Sequence, residues 1–128
     1  MAEGRYFLDT NALVALLNGD AGLLLKLAQC EWAGLSVISQ LEFLVFNGLT
    51  EADKALFDQL LARLQRVDLS SRDIALMKSI EDIRKAKLLK LPDAIIAASA
   101  HRHNATLLTQ DQTLVRAMDA MGWVALAF

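Results

Sequence analysis

Proline and cysteine are almost missing from this chain, and neither sign of charge dominates it. Its 128 residues include one proline, Pro92, and one cysteine, Cys30. A lone cysteine cannot close an internal disulfide, which excludes a disulfide-stapled secreted scaffold and points to the cytoplasm. With Leu27 and Ala28 nearby, Cys30 reads as a small buried hydrophobe. No apolar run approaches the roughly 18 residues of a membrane-spanning helix, so no membrane is expected. The first residues lack the basic segment and apolar stretch of a secretory leader. There are no repeats, low-complexity tracts or Pro/Gly-rich linkers, so residues 1–128 read as one domain. A net charge of −2 excludes a broadly basic nucleic-acid binder, but leaves room for an acidic site with basic margins. What the chain does have is apolar residues, 55% of the total. That excess without a membrane span implies apolar surface used in association, and a homodimer is expected.

Short, β-like apolar runs alternate with longer helical ones. Residues 6–8 predict a first strand and 11–17 a helix, with a break at Asn18, Gly19 and Asp20. Residues 22–32 predict a second helix and 35–38 a second strand. Ser39 opens a third helix running to Asn47 and Gly48, where Gly48 serves as a left-handed cap. Thr50 begins a fourth, with Ala55, Leu56, Leu60, Leu61 and Leu64 at helical spacing. Residues 67–69 predict a short strand, and 71–88 a helix carrying Ile74, Met77, Ile80 and Ile83. Pro92 suits the first turn of a helix reaching His103. Residues 106–109 form a strand, 112–121 a helix and 123–128 a last strand. Strands separated by helices imply an α/β three-layer sandwich, with a mainly parallel sheet of about four to five strands. Such sheets place their sites beyond the carboxyl ends of the strands.

Four acids fall where strands end or helices begin: Asp9, Glu42, Asp93 and Asp111. Each also has an ordinary explanation. Asp93 in a first helical turn complements the helix dipole. Ser39 and Glu42 have the spacing of a capping box, and Asp111 can cap the helix behind it. Asp9 is harder to dismiss, because an acid ending a buried first strand is poorly placed for solvent. A haloacid-dehalogenase-like phosphatase needs a second Asp two positions past Asp9, where Asn11 stands. A response-regulator-like receiver needs an acidic pair there and a phosphoacceptor Asp ending a central strand; neither is visible.

The joint pattern carries more weight than any single acid. Asp9-Thr10-Asn11 after a first strand, Ser39-x-x-Glu42, Leu91-Pro92-Asp93-Ala94-Ile95-Ile96-Ala97 and Thr109-x-Asp111 together resemble the PIN-domain family. The resemblance spans essentially the whole chain and is greatest to compact VapC-type members, toxins of toxin–antitoxin pairs. It implies a metal-dependent endoribonuclease with Mg²⁺ or Mn²⁺ held by Asp9, Glu42, Asp93 and Asp111. It also implies an RNA substrate and a small antitoxin partner. The chain departs from the pattern at Thr113, where many relatives have a further acid, which bears on a second metal. The alternatives are another PIN-fold nuclease or a catalytically weak PIN fold that serves as an interaction module.

The chemistry is consistent with that set. Clustered carboxylates repel and favour a hard divalent cation with oxygen ligands. Asp9, Asp93 and Asp111 read as direct ligands, and Glu42 as a ligand or a group that positions water. Thr10, Asn11 and Thr109 stand close enough in sequence to orient them. Arg84, Lys85, Lys87 and Lys90, just before Asp93, are candidates for phosphate contacts. The apolar helix after Ser39, with Leu41, Phe43, Leu44, Val45 and Phe46, belongs to the core or to an interface. His101 and His103, two apart on a helix and without cysteines, do not make a zinc site and read as surface residues.

Overall fold

The computed structural model describes residues 4–45, 48–87 and 89–128. In chain order the elements are β1 (Arg5–Leu8), α1 (Thr10–Leu17), α2 (Ala21–Ala28), β2 (Trp32–Ser36), α3 (Val37–Leu44) and α4 (Glu51–Leu61). They continue with β3 (Gln65–Val67), α5 (Ile74–Lys87), α6 (Leu91–Arg102), β4 (Thr106–Thr109), α7 (Gln112–Ala120) and β5 (Ala125–Ala127). All five strands pair in parallel, in the order β3-β2-β1-β4-β5. The expected α/β sandwich with a parallel sheet is therefore the fold.

The layers follow from the two-residue period of the strands. Phe7 and Leu107 point into one core with Leu76, Ile83, Ile96 and Leu114, beneath α5, α6 and α7. Their neighbours Leu8 and Leu108 point into the other with Leu13, Leu35, Phe43 and Phe57, beneath α1 to α4. Both faces are covered, which is why the strands are apolar throughout rather than alternating. In α6 every residue from Ala94 to Ala100 is buried, as expected of a helix apolar on all sides. No single helix among the described residues is long and apolar enough to cross a membrane.

Several boundaries move. Trp32 ends no helix: its N–H and that of Glu31 donate to the Gly4 carbonyl at 3.1 and 2.7 Å, and the chain enters β2 there. The strand stops at Ser36, whose side chain accepts from the Ile38 N–H at 3.1 Å and caps α3. The β-branched pair Val37-Ile38 thus belongs to the helix, and Ser39 is its third residue, fully buried. The capping-box reading of Ser39 and Glu42 falls with that shift. A capping box does occur one helix later, between Thr50 and Asp53. Strand β3 comes two residues earlier than expected, and Leu64 lies before it rather than on a helix. Gly48 has the expected positive φ of +84°, but α3 ends at Leu44, and Asn47 lies outside the described residues. So does Leu88, the expected end of α5.

Candidate active site

The sheet order creates the crevice. From β1 the chain moves outward through β2 to β3, then returns to place β4 on the other side of β1 and continues to β5. Adjacent strands whose connections leave in opposite directions open a gap beyond their carboxyl ends, here between β1 and β4. Asp9 follows β1 and Asp111 lies two residues beyond β4, so both border that gap. Helix α3 leaves the end of β2 and carries Glu42 one turn and a half along. Helix α6 returns toward the start of β4, so its N-terminus, with Asp93 at the third position, stands on the same rim.

An open cleft of about 390 Å³ collects them: Asp9, Glu42, Asp93 and Asp111 all line it. Thr10 and Asn11 share the polar wall, and Val45, Ile96 and Leu114 form an apolar one. The apolar wall was not anticipated; Ile96 and Leu114 each stand one turn beyond an acid on the same helix, which is the signal that could have indicated it.

Local hydrogen bonds fix Asp9, Glu42 and Asp111. Asp9 is 6% exposed, and its Oδ1 accepts from the Ala12 N–H at 2.8 Å, capping α1. Thr109, wholly buried, donates its hydroxyl to Asp9 and accepts from the Asp111 N–H at 3.0 Å. Asp111 Oδ1 accepts from the N–H groups of Thr113 at 2.9 Å and Leu114 at 3.2 Å, capping α7. Glu42 does not cap: it sits six residues into α3, exposed, with Oε1 receiving the Thr10 hydroxyl at 2.7 Å. Asp9 and Asp111 thus cap their helices through Oδ1 while both carboxylates line the cleft. Thr113 gives its backbone N–H to Asp111 and its hydroxyl takes a long 3.5 Å contact from Arg116.

Electrostatics mark the cluster as uncomfortable. Burial raises the Asp9 carboxyl above the ordinary aspartate range, and the charges of Asp93 and Asp111 raise it further. The bonds from Thr109 and Ala12 pull in the opposite direction. Asp93 is raised as well, by burial first and then by Asp111 and Glu42, with Lys90 opposing. In kind, four carboxylates in an open polar cleft suit a hard divalent cation. Among the described residues, no three His, Cys, Asp or Glu side chains stand close enough to share one ion as placed.

The histidines lie at the far end of α6 and are half-buried rather than superficial. His101 stacks on Trp123 at 4.5 Å and His103 on Trp32 at 5.5 Å. They do point apart, each toward its own tryptophan. Cys30 is half-buried at the margin of the core under α1 to α4.

With this geometry in hand, the comparison with known families is direct: the model of the PIN domain matches residues 6–119. The chain belongs to the PIN-domain family. No curated protein sequence matches it significantly. Among solved structures, a toxin–antitoxin complex from Klebsiella pneumoniae superposes with a TM-score of 0.70 at 25% identity, covering 86% of this chain and 89% of that one. VapBC2 from Rickettsia felis, bound to a DNA fragment from its promoter, gives 0.77 at 21% identity over 96% and 98%. VapBC-5 from Mycobacterium tuberculosis, of the VapBC family of toxin–antitoxin systems, gives 0.65 at 17% over 95% of each chain. Membership of the PIN family removes the phosphatase and receiver readings. The four acids the motifs singled out are those that line its cleft.

Proposed function

We propose that this PIN domain is a metal-dependent endoribonuclease, the toxin of a toxin–antitoxin pair, with Asp9, Glu42, Asp93 and Asp111 holding Mg²⁺ or Mn²⁺. The observation that carries the reading is the gathering of four carboxylates, a hundred residues apart in sequence, around one cleft at the switch point of the sheet. Burial and mutual charge raise two of them, Asp9 and Asp93, a conflict that concentrates at functional sites. When bound, a divalent ion there supplies positive charge to the attacked phosphodiester and lowers the pKa of a water. The protein's own part is positioning. Thr109 holds Asp9 in register with the turn that carries Asp111, and Thr10 turns Glu42 inward. Asp93 comes from α6, buried from Ala94 to Ala100, and so is held rigidly just before that stretch.

An antitoxin partner is supported by the toxin–antitoxin assemblies among the structural neighbours. A homodimer is supported by the exposed Leu41, Leu44 and Val45 at the end of α3, an apolar group beside the cleft. Light scattering at high micromolar concentration tests the dimer, and a monomer there overturns it.

The decisive experiment for the activity is a gel assay of cellular RNAs with Mg²⁺ or Mn²⁺, repeated in EDTA and with Asp9→Asn and Asp93→Asn. Cutting should require metal and vanish in both variants. Cutting that persists in EDTA, or survives both substitutions, rejects the mechanism.

A further inference from the structure

Four of the chain's 13 lysines and arginines fall between positions 84 and 90. Arg84, Lys85 and Lys87 occupy the last turn of α5, and Lys90 immediately precedes α6. Because α5 packs along α6 and only three residues separate them in sequence, this group stands at the N-terminal end of α6, on the Asp93 side of the cleft. The four are not equivalent. Lys85 faces outward, 75% exposed, with its ammonium 2.7 Å from Glu81 on the preceding turn. Lys87 instead continues the stripe of Leu76, Ile80 and Ile83 that faces the core, at the point where that layer ends on the rim. Arg84 flanks the same stripe. Among the described residues, Arg84, Lys87 and Lys90 form no ion pair.

Helix electrostatics do not explain the difference. A cation in the last turn of α5 is favoured by its dipole, but that benefit is shared by Arg84, Lys85 and Lys87. Lys90 stands where the dipole of α6 opposes a cation, and its side chain makes no capping bond. Its charge is felt within the site, where it acts on Asp93 against the neighbouring acids. In a chain of net charge −2, a polyanion reaching four carboxylates needs positive charge at their margin.

We propose that Lys87 and Lys90, flanked by Arg84, form the seat on which the phosphodiester backbone of an RNA strand enters the cleft. The proposal rests on the ribonuclease reading for the nature of the ligand, and it singles out these residues from Lys85. The seat takes consecutive backbone phosphates beside the acids and makes no base contact, so it contributes affinity without sequence preference.

The test is fluorescence anisotropy with a labelled single-stranded RNA of mixed sequence, in EDTA so that no cutting intervenes. Lys87→Gln with Lys90→Gln should raise Kd about tenfold at low salt and flatten the salt dependence by about 1.4 in log–log slope, roughly 0.7 per lost contact. Arg84→Gln added to the pair should weaken binding further. Lys85→Gln should bind within about twofold of the unaltered protein, as a group outside the seat. All four side chains are exposed, and thermal melts should confirm folding. An equal loss in Lys85→Gln, an unchanged slope in the double variant, or no binding by the unaltered protein overturns the proposal. Retained binding with no metal-dependent cutting of any RNA would reject the nuclease reading alone, so the two failures are separable.

Discussion

Arg5 opens β1 and Asp9 follows its end, so one short strand separates a cation from an anion in opposite surroundings. At the amino pole Arg5 donates from Nε and Nη2 to the His103 carbonyl at 3.1 and 2.7 Å, and its guanidinium lies 4.6 Å over Trp32. Trp32 stacks on both His103 and Phe7. Gly34 makes room for it, since a Cβ there would stand 2.5 Å from the indole and 2.9 Å from the Gln65 carbonyl. Arg5, Trp32, His103 and Phe7 are joined in one stack of bonds and rings. At the carboxyl rim the acids are tied down locally but face one another, and two carry raised pKa values. The pole is organised for stability and the rim against it, and such conflict concentrates where a protein acts.

Substitutions at the two ends should therefore move activity and stability in opposite ways. The largest effect belongs to Asp93→Asn. If Asp93 holds the ion as proposed, its loss removes several kcal/mol of charge stabilisation, so cleavage should fall about a thousandfold or more. The metal-free variant should melt higher than the unaltered protein, because the carboxylate it loses is disfavoured by burial, Asp111 and Glu42. Melting lower in EDTA would place Asp93 among ordinary helix-start acids and remove the contrast.

Arg5→Ala should do the reverse. Two charge-assisted bonds and a cation–π contact are lost, about 2–3 kcal/mol together. For a chain of this length that corresponds to about 8–10 °C in Tm. Cleavage per folded molecule, assayed well below the new Tm, should stay within twofold. A large loss of activity at intact fold would mean that pole and rim are coupled through β1.

Glu42 and Thr10 sharpen the comparison on the rim itself. Since Ser36 caps α3, Glu42→Gln leaves the helix start untouched, and the amide oxygen still accepts from Thr10. Its fold should hold while Mg²⁺ stabilisation and cleavage drop. Thr10→Val removes only the bond that aims Glu42, and a loss of about 10- to 100-fold in metal affinity or activity is expected. Calorimetric titration with Mn²⁺ measures it; unchanged affinity would leave Thr10 an ordinary first residue of α1.

How much of this was legible in sequence divides along the same line. The rim could be read because strand ends and helix starts are chemically marked: Asp9, Pro92 with Asp93, and Thr109 with Asp111 sit within a residue or two of their expected places. The error at Ser39 arose where propensity misleads. Val37 and Ile38 are β-branched and extend the apparent strand, whereas the pairing of Glu31 and Trp32 with Gly4 marks its true start and the Ser36 cap its end. The pole was not legible. Stacking of His103 on Trp32 and of His101 on Trp123 joins residues 71 and 22 positions apart, and no local period announces such pairs. Nor could the sequence show that the carboxylates capping α1 and α7 would both line the cleft.

The smallest predicted effect is a pH dependence in which pole and rim oppose each other. Burial lowers both His101 and His103, helped by Arg102 and, at His103, by Arg5, against Asp73. A depressed base contributes stability that is present above the unfolded value near 6.5 and lost as pH falls through its folded value. Asp9 and Asp93 are raised above 3.8. A raised acid contributes stability that is complete below its unfolded value and lost as pH rises through the folded one. Falling pH between about 6.5 and 4 thus weakens the pole and relaxes the rim. Saturating Mg²⁺ abolishes the second effect, because carboxylates that hold a cation stay ionised. The Tm in Mg²⁺ should therefore fall by a few degrees from pH 7.5 to 5.5, and less in EDTA. The Mg²⁺-induced shift should shrink as protons compete for the acids, and Asp93→Asn should show a smaller shift at every pH. Melts in paired buffers decide it: a shift that holds constant or grows toward acid pH would mean that the rim carboxylates do not bind the ion.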